Sequence, residues 1–571
     1  MENSPKQVTV TIDGCHLSVP EGMTILDAAR KNSIRIPTLC HHPALSAWGG
    51  CRLCVVEVDG SPKLVASCVM PVREGMAVVT SNEAITLARR TILEFLFAER
   101  NHYCMFCSQS GDCELQALSY ELQMDHLTVP QSYDSYPADI TSEYMAIDHN
   151  RCVLCGRCVR ACAEIAGAYV LNYQNRGIKN QIAFDMNASR GESSCLSCGA
   201  CLQLCPTGAI FNRYRSHRSV KGHERTARTP MHDFCSRCGL MCETHTFVEN
   251  NQLVRIDGII TPGDSKAERG QLCVKGRFEP LKTPGKRLLH PMMRDADGAW
   301  KEVSWKTAMD RVESKMNAGK GGTGAFGLIS GQCANEQLMI FRDLMQKGWA
   351  VDTLDTLDGR PLSVVASAWK GLAKNFLAFK EAGWRRILDA DHILVTGSFE
   401  TQPLIGGLIR RAVLEKRSTV TVLGSCDALS SWSEHHVPVA AGAESLIAQA
   451  FLVQASQHPK LSSGWKPVLS KLVSADVQSL LNQAGLEESS RLSFMAAVDA
   501  FVQSRNPMVI AGNGVIDQAK DDCLRNLMLL SLIKGILPEN ALRLVILKHC
   551  GNSAGALKLG IPTDVRAGAW Q

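Results

Sequence analysis

Residues 152–162 read CVLCGRCVRAC, and residues 195–205 repeat the same spacing as CLSCGACLQLC, with Pro206 directly after. In each run, four cysteines are separated by two, two and three residues. Runs of this kind hold pairs of four-iron clusters, and the fourth cysteine of each run binds the other cluster. We therefore predict two [4Fe-4S] sites with interlocked ligands, one formed by Cys152, Cys155, Cys158 and Cys205, the other by Cys195, Cys198, Cys201 and Cys162.

A different cysteine set lies nearer the start of the chain. Cys40, Cys51, Cys54 and Cys68 are separated by ten, two and thirteen residues. Three thiolates from one loop and one from a later strand are typical of a [2Fe-2S] cluster. Gly49 and Gly50 would let the backbone pass close to inorganic sulfide. The alternative is zinc, but zinc sites favour two CxxC pairs and this set contains only one.

Between these sets, Cys104, Cys107 and Cys113 supply only three thiolates. His102 is the candidate fourth ligand of a [4Fe-4S] cluster, because a neutral imidazole can replace a thiolate and would raise the potential. The alternative is that His102 is a surface loop residue and that another group completes the site.

The last set is Cys235, Cys238, Cys242 and the distant Cys273. Its spacing fits either a [4Fe-4S] cluster or zinc, and its position after four electron carriers favours the cluster. The chain would then hold one [2Fe-2S] and four [4Fe-4S] clusters. The remaining cysteines occur singly, and we predict that they are buried apolar residues: Cys15, Cys333, Cys426, Cys523 and Cys550.

Composition limits the class of protein. A chain of 571 residues is long enough for several domains. Nineteen of its 24 cysteines lie in tight groups, which in a large chain indicates metal sites rather than disulfides. A net charge of +5 does not suggest nucleic acid as a partner. The sequence shows no apolar run of bilayer length and no secretory signal at its start. We therefore expect a cytoplasmic protein, which could also lie at the periphery of a membrane complex.

Local patterns predict a small mixed α/β domain near the start, with a strand at 8–12, a hairpin turn at Asp13-Gly14 and a helix beginning near Thr24. Apolar spacing predicts a helix over 82–99. Residues 213–230 are basic and read as a solvated connector, with a docking patch as the alternative. From about residue 300, strand-like and helical stretches alternate, which predicts a largely parallel sheet.

The first half resembles the large iron–sulfur subunit of respiratory NADH dehydrogenase, complex I, and the related subunits of NAD-linked hydrogenases and formate dehydrogenases. The resemblance is carried by CHHPALSAWGGCRLCVVEV, NHYCMFCSQSGDCELQ and the two cysteine runs. It implies a β-grasp two-iron ferredoxin domain, a one-histidine/three-cysteine domain and a two-cluster ferredoxin domain. Only Tyr103 separates His102 from Cys104, as in the hydrogenase diaphorase type, whereas complex I usually has three residues there.

Residues 230–571 resemble the molybdopterin oxidoreductase family through FCSRCGLMCE, GQLCVKGRF and KEVSWKTAMD. The resemblance implies that Lys275 lies between a cluster and a pterin. Residues 351–390 contain no cysteine or histidine for a metal, although their aspartates and serines leave this exclusion incomplete. The chain ends at Gln571, about where the family's closing barrel would begin. We therefore expect a truncated α/β region without bound molybdopterin.

These expectations define five segments: a two-iron ferredoxin-like domain at 1–80, a one-histidine/three-cysteine domain at 81–120, a two-cluster domain at 140–212, a molybdopterin oxidoreductase-type cluster domain at 228–284 and an α/β scaffold at 285–571. The resulting hypothesis is an electron-transfer subunit with no catalytic residue of its own. Its expected partners are an FMN-containing NADH-oxidising subunit, a small thioredoxin-like [2Fe-2S] subunit, and a second redox partner such as a hydrogenase, a ferredoxin or a quinone-linked subunit. The alternatives are a molybdenum or tungsten formate dehydrogenase-like catalytic subunit and a scaffold that joins subunits.

Overall fold

The chain divides into two compact units, and each is described by itself. The first comprises Met1–Asp233 and Thr244–Lys282, and the second comprises Phe234–Glu243 and Thr283–Gln571. The structure is a computed structural model that describes residues 6–132, 134–214, 230–249, 252–260, 269–282, 288–318, 325–356, 359–372, 380–424, 426–440, 442–461, 475–517, 521–535, 537, 541–559 and 561. Most of the basic connector predicted at 213–230 lies outside these residues, so that prediction stays open.

The first unit begins with a five-stranded sheet in the order β2-β1-β5-β3-β4. Strands β1 and β2 form an antiparallel hairpin around Asp13 and Gly14, both at positive φ, and β1 pairs in parallel with β5. Thr24 caps the following helix by accepting from the backbone N–H of Asp27. The elements are β1 Gln7–Ile12, β2 Cys15–Pro20, α1 Ile25–Lys31, β3 Val55–Val58, β4 Val65–Ala66 and β5 Met76–Val79. This order confirms the predicted mixed α/β domain.

The predicted helix over 82–99 is also present, as α2 Glu83–Glu99. The side chain of its cap residue, Asn82, accepts from the backbone N–H of Ile85. The buried guanidinium of Arg89 donates to the carbonyl oxygens of Leu53 and Val55, 3.0 and 2.8 Å away. These bonds fix the helix against the loop that carries Cys51 and Cys54.

The two cysteine runs, which repeat in sequence, also adopt similar local structures. Each CxxC leads into a short helix, α4 Arg157–Arg160 or α5 Ala200–Leu204. The helices start at Gly156 and Gly199, whose φ angles of 67° and 73° favour glycine. The other elements of the first unit are α3 Glu114–Glu121, β6 Met145–Ile147, β7 Leu171–Gln174, β8 Gln181–Phe184, β9 Ile210–Asn212, β10 Met231–Phe234, β11 Glu243–Glu249, β12 Gln252–Gly258 and α6 Val274–Arg277; β10 and β11 each continue by one residue into the second unit.

The second unit is built around a sheet in the order β20-β19-β18-β21-β23, in which all neighbouring strands are parallel. Its central strands are buried along their whole length, as expected when helices cover both faces. The sheet strands are β18 His392–Thr396, β19 Thr419–Leu423, β20 His435–Val437, β21 Pro507–Ala511 and β23 Leu544–Ile546. The predicted parallel α/β region is therefore confirmed.

Helices and small sheets complete the second unit. Its helices are α7 Trp305–Ala318, α8 Asn335–Asp343, α9 Gly359–Leu372, α10 Pro403–Lys416, α11 Asp427–Ser430, α12 Glu444–Gln457, α13 Val477–Gln483, α14 Glu488–Gln503, α15 Asn513–Asp517, α16 Asp521–Ile533 and α17 Ser553–Lys558. The two-stranded sheets use β13 Met292–Arg294, β14 Trp300–Glu302, β15 Gly327–Ile329, β16 Leu354–Thr356, β17 Lys380–Glu381 and β22 Ala541–Leu542. In the core, the ring of Phe451 meets those of Phe494 and Phe501 edge to face.

One prediction about the scattered cysteines was wrong. Cys15 is exposed, because it follows the hairpin turn and begins an edge strand. Cys426 and Cys523 are buried as predicted, whereas Cys333 and Cys550 are only partly buried. Among the helices of the described ranges, none is both long and apolar enough to cross a bilayer.

Candidate iron–sulfur centres

The structure brings Cys40, Cys51, Cys54 and Cys68 together beside the first sheet. The backbone N–H of Cys40 donates to Sγ of Cys51 at 3.4 Å, and that of Cys51 donates to Sγ of Cys40 at 3.5 Å. A hydrogen bond from the Cys51 side chain lowers the pKa of Cys40, and one from Cys68 lowers the pKa of Cys54. One sulfur of each pair therefore ionises readily, and thiolate is the form that binds iron.

The second set lines a single surface pocket. Its walls include His102, Cys104, Cys107 and Cys113, which are the four predicted ligands. Gly208 also lines it, and a Cβ there would lie only 2.5 Å from Sγ of Cys107. The chemistry of this donor set and the open space between its members fit a cluster.

His102 is held in the form that a ligand needs. Burial lowers the pKa of its imidazole to about 4, so that the ring is neutral at physiological pH. Its Nε2 lies 3.2 Å from the carbonyl oxygen of Leu96. With Nε2–H as the donor in this contact, Nδ1 keeps a lone pair that can bind iron. The ring of Phe97 packs edge-on against the imidazole.

The sulfurs of the predicted third set lie close enough to influence one another's pKa values. Burial, together with the neighbouring sulfurs of Cys205 and Cys152, raises the pKa of Cys155 to about 12. Burial also raises the pKa of Cys158, with contributions from Cys155, Cys152 and Cys205. The backbone N–H of Leu154 donates to Sγ of Cys152 at 3.4 Å. Cys205 thus lies with the first run of cysteines, although it belongs to the second in sequence.

In the fourth set, Cys162 from the first run lies near the cysteines of the second run. Burial raises the pKa of Cys198 to about 12, and the sulfurs of Cys201, Cys162 and Cys195 contribute. Burial likewise raises the pKa of Cys162 to about 11, with contributions from Cys201 and Cys195. Protons on such buried thiols must leave when iron binds.

Two arginines inside the first cysteine run join three of the sets. Nη2 of Arg160 donates to the carbonyl oxygens of Cys40 and Cys155, at 2.6 and 3.4 Å. Nη2 of Arg157 donates to the carbonyl oxygen of His41 at 2.8 Å, and the guanidinium also pairs with Glu114, the residue after Cys113. The first, second and third sets are therefore connected through protein hydrogen bonds.

Aromatic rings also lie between the first and third sets. Trp48, in the loop between Cys40 and Cys51, stacks on Tyr173 with ring centroids 6.0 Å apart. The hydroxyl of Tyr173 donates to the carbonyl oxygen of Leu154, inside the third set. A Cβ at Gly156 would lie 2.5 Å from that hydroxyl, so the close approach requires glycine.

The fifth set is divided between the two units. Cys235, Cys238 and Cys242 belong to the second unit, while Cys273 and Lys275 belong to the first. Within the first unit, Cys273 caps α6, and Nε of Arg277 on that helix donates to the carbonyl oxygen of Cys198 at 2.8 Å. Within the described residues, no three Cys, His, Asp or Glu side chains converge tightly enough to hold a single metal ion. Ligation by each of the five sets stays a prediction.

In the second unit, polar and glycine residues meet at the carboxyl ends of the parallel strands. Gly397 follows β18 and Gly512 follows β21, and a Cβ at Gly512 would lie 2.4 Å from the carbonyl oxygen of Ser398. The buried amides of Gln402 and Asn513 donate to the carbonyl oxygens of Lys548 and Leu547. Sheets of this class bind ligands at this edge, and its buried amides here are already hydrogen-bonded within the protein.

Sequence reasoning missed the arginines around these sites. Arg157 and Arg160 lie inside CVLCGRCVRAC, and a charged residue within a buried metal-binding repeat is a signal that a specific partner is needed. Arg190 lies outside any motif, and the sequence gives no comparable signal for it.

Comparison with known families matches four stretches of the chain. Residues 5–83 match the 2Fe-2S iron–sulfur cluster binding domain, and residues 89–127 match the NADH-ubiquinone oxidoreductase-G iron–sulfur binding region. Residues 142–211 match the ferredoxin-like domain of NADH-quinone oxidoreductase subunit 3, and residues 287–569 match molybdopterin oxidoreductase. The chain therefore contains domains that match iron–sulfur cluster binding domains, and a longer stretch that matches molybdopterin oxidoreductase.

Individual relatives agree with these matches. A G-type NADH-quinone oxidoreductase subunit of Rhizobium meliloti is 28% identical over 73% of this chain and 48% of its own length. The NADPH-Fe(3+) oxidoreductase subunit alpha of Geobacter sulfurreducens is 26% identical over 98% of this chain and 65% of its own length. The NADP-reducing hydrogenase subunit HndD of Solidesulfovibrio fructosivorans is 40% identical over 36% of each chain. The predicted resemblance is confirmed: the chain combines iron–sulfur modules of the G-type NADH-quinone oxidoreductase subunit with a molybdopterin oxidoreductase domain.

These similarities cover only part of each relative. The chain spans between about a third and two thirds of the length of these three relatives. A solved NAD+-reducing [NiFe]-hydrogenase, in the H2-reduced state, contains a chain that is 38% identical over 36% of this chain and 87% of that chain, with a TM-score of 0.34.

Proposed function

We propose that this chain relays single electrons between an NAD(P)H-oxidising flavin partner and a second redox partner. The observation that carries the proposal is the set of hydrogen bonds that connects the first, second and third cysteine sets. Arg160 contacts the carbonyls of Cys40 and Cys155, and Arg157 connects His41 with Glu114. Iron–sulfur clusters supply one-electron chemistry when bound, and the protein positions and tunes them.

The proposed cofactors are one [2Fe-2S] cluster at the Cys40 set and four [4Fe-4S] clusters at the other sets. His102 would serve as the single imidazole ligand, and Cys162 and Cys205 would exchange between the two interlocked sets. Filled completely, these sites hold about 18 irons per chain. The residues from 1–80 through 228–284 would form the electron-carrying part, and 285–571 would join it to partners.

The proposed partners follow from the relatives rather than from any residue of this chain. The names of the relatives describe subunits of NADH-quinone, NADPH-Fe(3+) and NADP-reducing hydrogenase enzymes. We propose an FMN-containing subunit with a small thioredoxin-like [2Fe-2S] subunit on one side. A hydrogenase, a ferredoxin or a quinone-linked subunit would lie on the other. Purification of the native complex, with identification of its chains, tests this assignment.

The relay itself is tested on the anaerobically purified chain. Iron and acid-labile sulfide are measured, and the reduced protein is studied by electron paramagnetic resonance. We expect about 18 irons with similar sulfide, and separable two-iron and four-iron signals. A chain whose thiols are occupied by zinc, or one without labile sulfide, would contradict the relay.

A molybdenum or tungsten enzyme is the second candidate, and the match of residues 287–569 to molybdopterin oxidoreductase favours it. Its proposed feature is Lys275, placed between the fifth cluster and a pterin. Metal analysis of the purified chain separates the two candidates: stoichiometric molybdenum or tungsten supports the enzyme, and its absence from a fully iron-loaded chain supports the relay. Deletion of residues 285–571 tests the scaffold role. If this region only joins partners, the shortened chain should fail to assemble into the complex, but its clusters should still be reduced.

A further inference from the structure

Arg190 is a buried arginine beside the fourth cysteine set. Its side chain is 2% exposed. Nη2 lies 3.7 Å from Sγ of Cys201 and 3.2 Å from Sδ of Met145. The guanidinium lies over the ring of Phe184, 5.2 Å from its centroid. The charge is therefore enclosed by sulfur and apolar groups.

Among the described residues, no carboxylate forms an ion pair with this guanidinium, and Nε and Nη1 of Arg190 have no hydrogen-bond partner. The carboxylate of Asp139 accepts from the backbone N–H of Arg190 at 2.7 Å and from Thr141. Asp139 therefore offsets the charge through a contact with the Arg190 backbone and not with its guanidinium.

Arg157, which lies inside the first cysteine run, differs from Arg190. It is also buried, but both of its Nη atoms donate to the carboxylate of Glu114, at 2.7 and 2.8 Å. Its positive charge is therefore balanced by a direct ion pair.

We infer that Arg190 raises the reduction potential of the site formed by Cys162, Cys195, Cys198 and Cys201. The inference rests on the proposed function, because it requires a cluster at these cysteines. A thiolate-bound cluster is anionic and gains one negative charge on reduction, so a fixed positive charge close to its sulfurs favours the reduced form. The low dielectric around a buried guanidinium strengthens this interaction.

The test is a redox titration of the full chain, monitored by electron paramagnetic resonance. The signal of the fourth set is assigned by its loss in Cys198→Ser. We expect Arg190→Gln to make reduction of this site at least tenfold less favourable, which is 59 mV for a one-electron couple, without moving the other signals. Arg190→Lys keeps the charge and should hold the equilibrium within threefold of the wild type.

A second variant keeps the inference testable if Arg190→Gln fails to retain its iron. Asp139→Asn removes the offsetting negative charge and should make reduction of the same site more favourable. The inference is overturned by an iron-replete Arg190→Gln whose potential is unmoved, or by an Asp139→Asn that does not shift upward. A wild-type chain without cluster signals overturns the proposed function itself, whereas wild-type signals with unmoved variants overturn only the role of Arg190.

Discussion

Arg157 and Glu114 form a bidentate ion pair that connects the third cysteine set with the helix after the second. The Arg157 side chain is 3% exposed, whereas that of Glu114 is 35% exposed. The backbone N–H of Glu114 also donates to the carbonyl oxygen of Pro206, the residue after Cys205. Glu114 therefore joins the second set to two segments of the third set that are far apart in sequence.

Replacement of Glu114 by Gln should destabilise this region. It leaves the buried charge of Arg157 without its partner, and partial solvation of position 114 limits the cost to about 2 kcal/mol. Thermal unfolding of the iron-loaded chain, followed by loss of visible absorbance, measures the effect. Glu121→Gln is the matched control on the same helix: its partner Arg35 is 73% exposed, so the expected change is below about 0.5 kcal/mol. Equal losses in the two variants would contradict the special role of the Arg157 pair.

The exchange of Cys162 and Cys205 is tested with serine variants. Because Cys205 lies among Cys152, Cys155 and Cys158, Cys205→Ser should perturb the same resonance signal as Cys152→Ser. The double variant should then affect one four-iron signal. In contrast, Cys162→Ser combined with Cys152→Ser should affect two signals. The opposite pattern would mean that each run of cysteines holds its own cluster.

Ligation by His102 is tested by its removal. His102→Ala should alter one four-iron signal and leave the others unchanged, because the imidazole lines a pocket only with Cys104, Cys107 and Cys113 among the predicted ligands. His102→Cys restores a thiolate and should lower the potential of that site. His126, which is exposed and paired with Asp125, provides the control through His126→Ala. Unchanged signals in His102→Ala would exclude this histidine as a ligand.

Gly208 provides a steric test of the same site. A Cβ at this position would lie 2.5 Å from Sγ of Cys107, so Gly208→Ala should displace the sulfur and reduce the iron content by about four per chain. At Gly383, a Cβ would meet nothing within 4 Å, and Gly383→Ala should keep its full iron content. Iron analysis of the two variants, each compared with the wild type, measures the difference.

The sequence predicted the elements whose pattern is local. The first hairpin, α2 and the parallel strands follow from alternation, helical spacing and turn residues, and the grouping of the interlocked cysteines follows from a repeat with defined spacing. The position of Arg190 could not be predicted, because Met145, Phe184 and Cys201 come from separate elements that only the fold brings together. Arg157 and Glu114 are 43 positions apart in sequence, so a local pattern could not predict their pairing either. Cys15 was misassigned because its residue type suggested burial, whereas its exposure depends on its place at a turn.

The hydrogen bonds of Arg157 and Arg160 also bear on how these modules can be recombined. Each arginine belongs to the two-cluster region, yet its acceptors include His41, Cys40 and Glu114, which belong to the preceding two modules. A two-cluster ferredoxin cut from this chain would retain the cations and lose those acceptors. We therefore expect the three modules to be inherited together, and an engineered transfer should move all three. The arginines and their acceptors in the neighbouring modules should covary among related sequences.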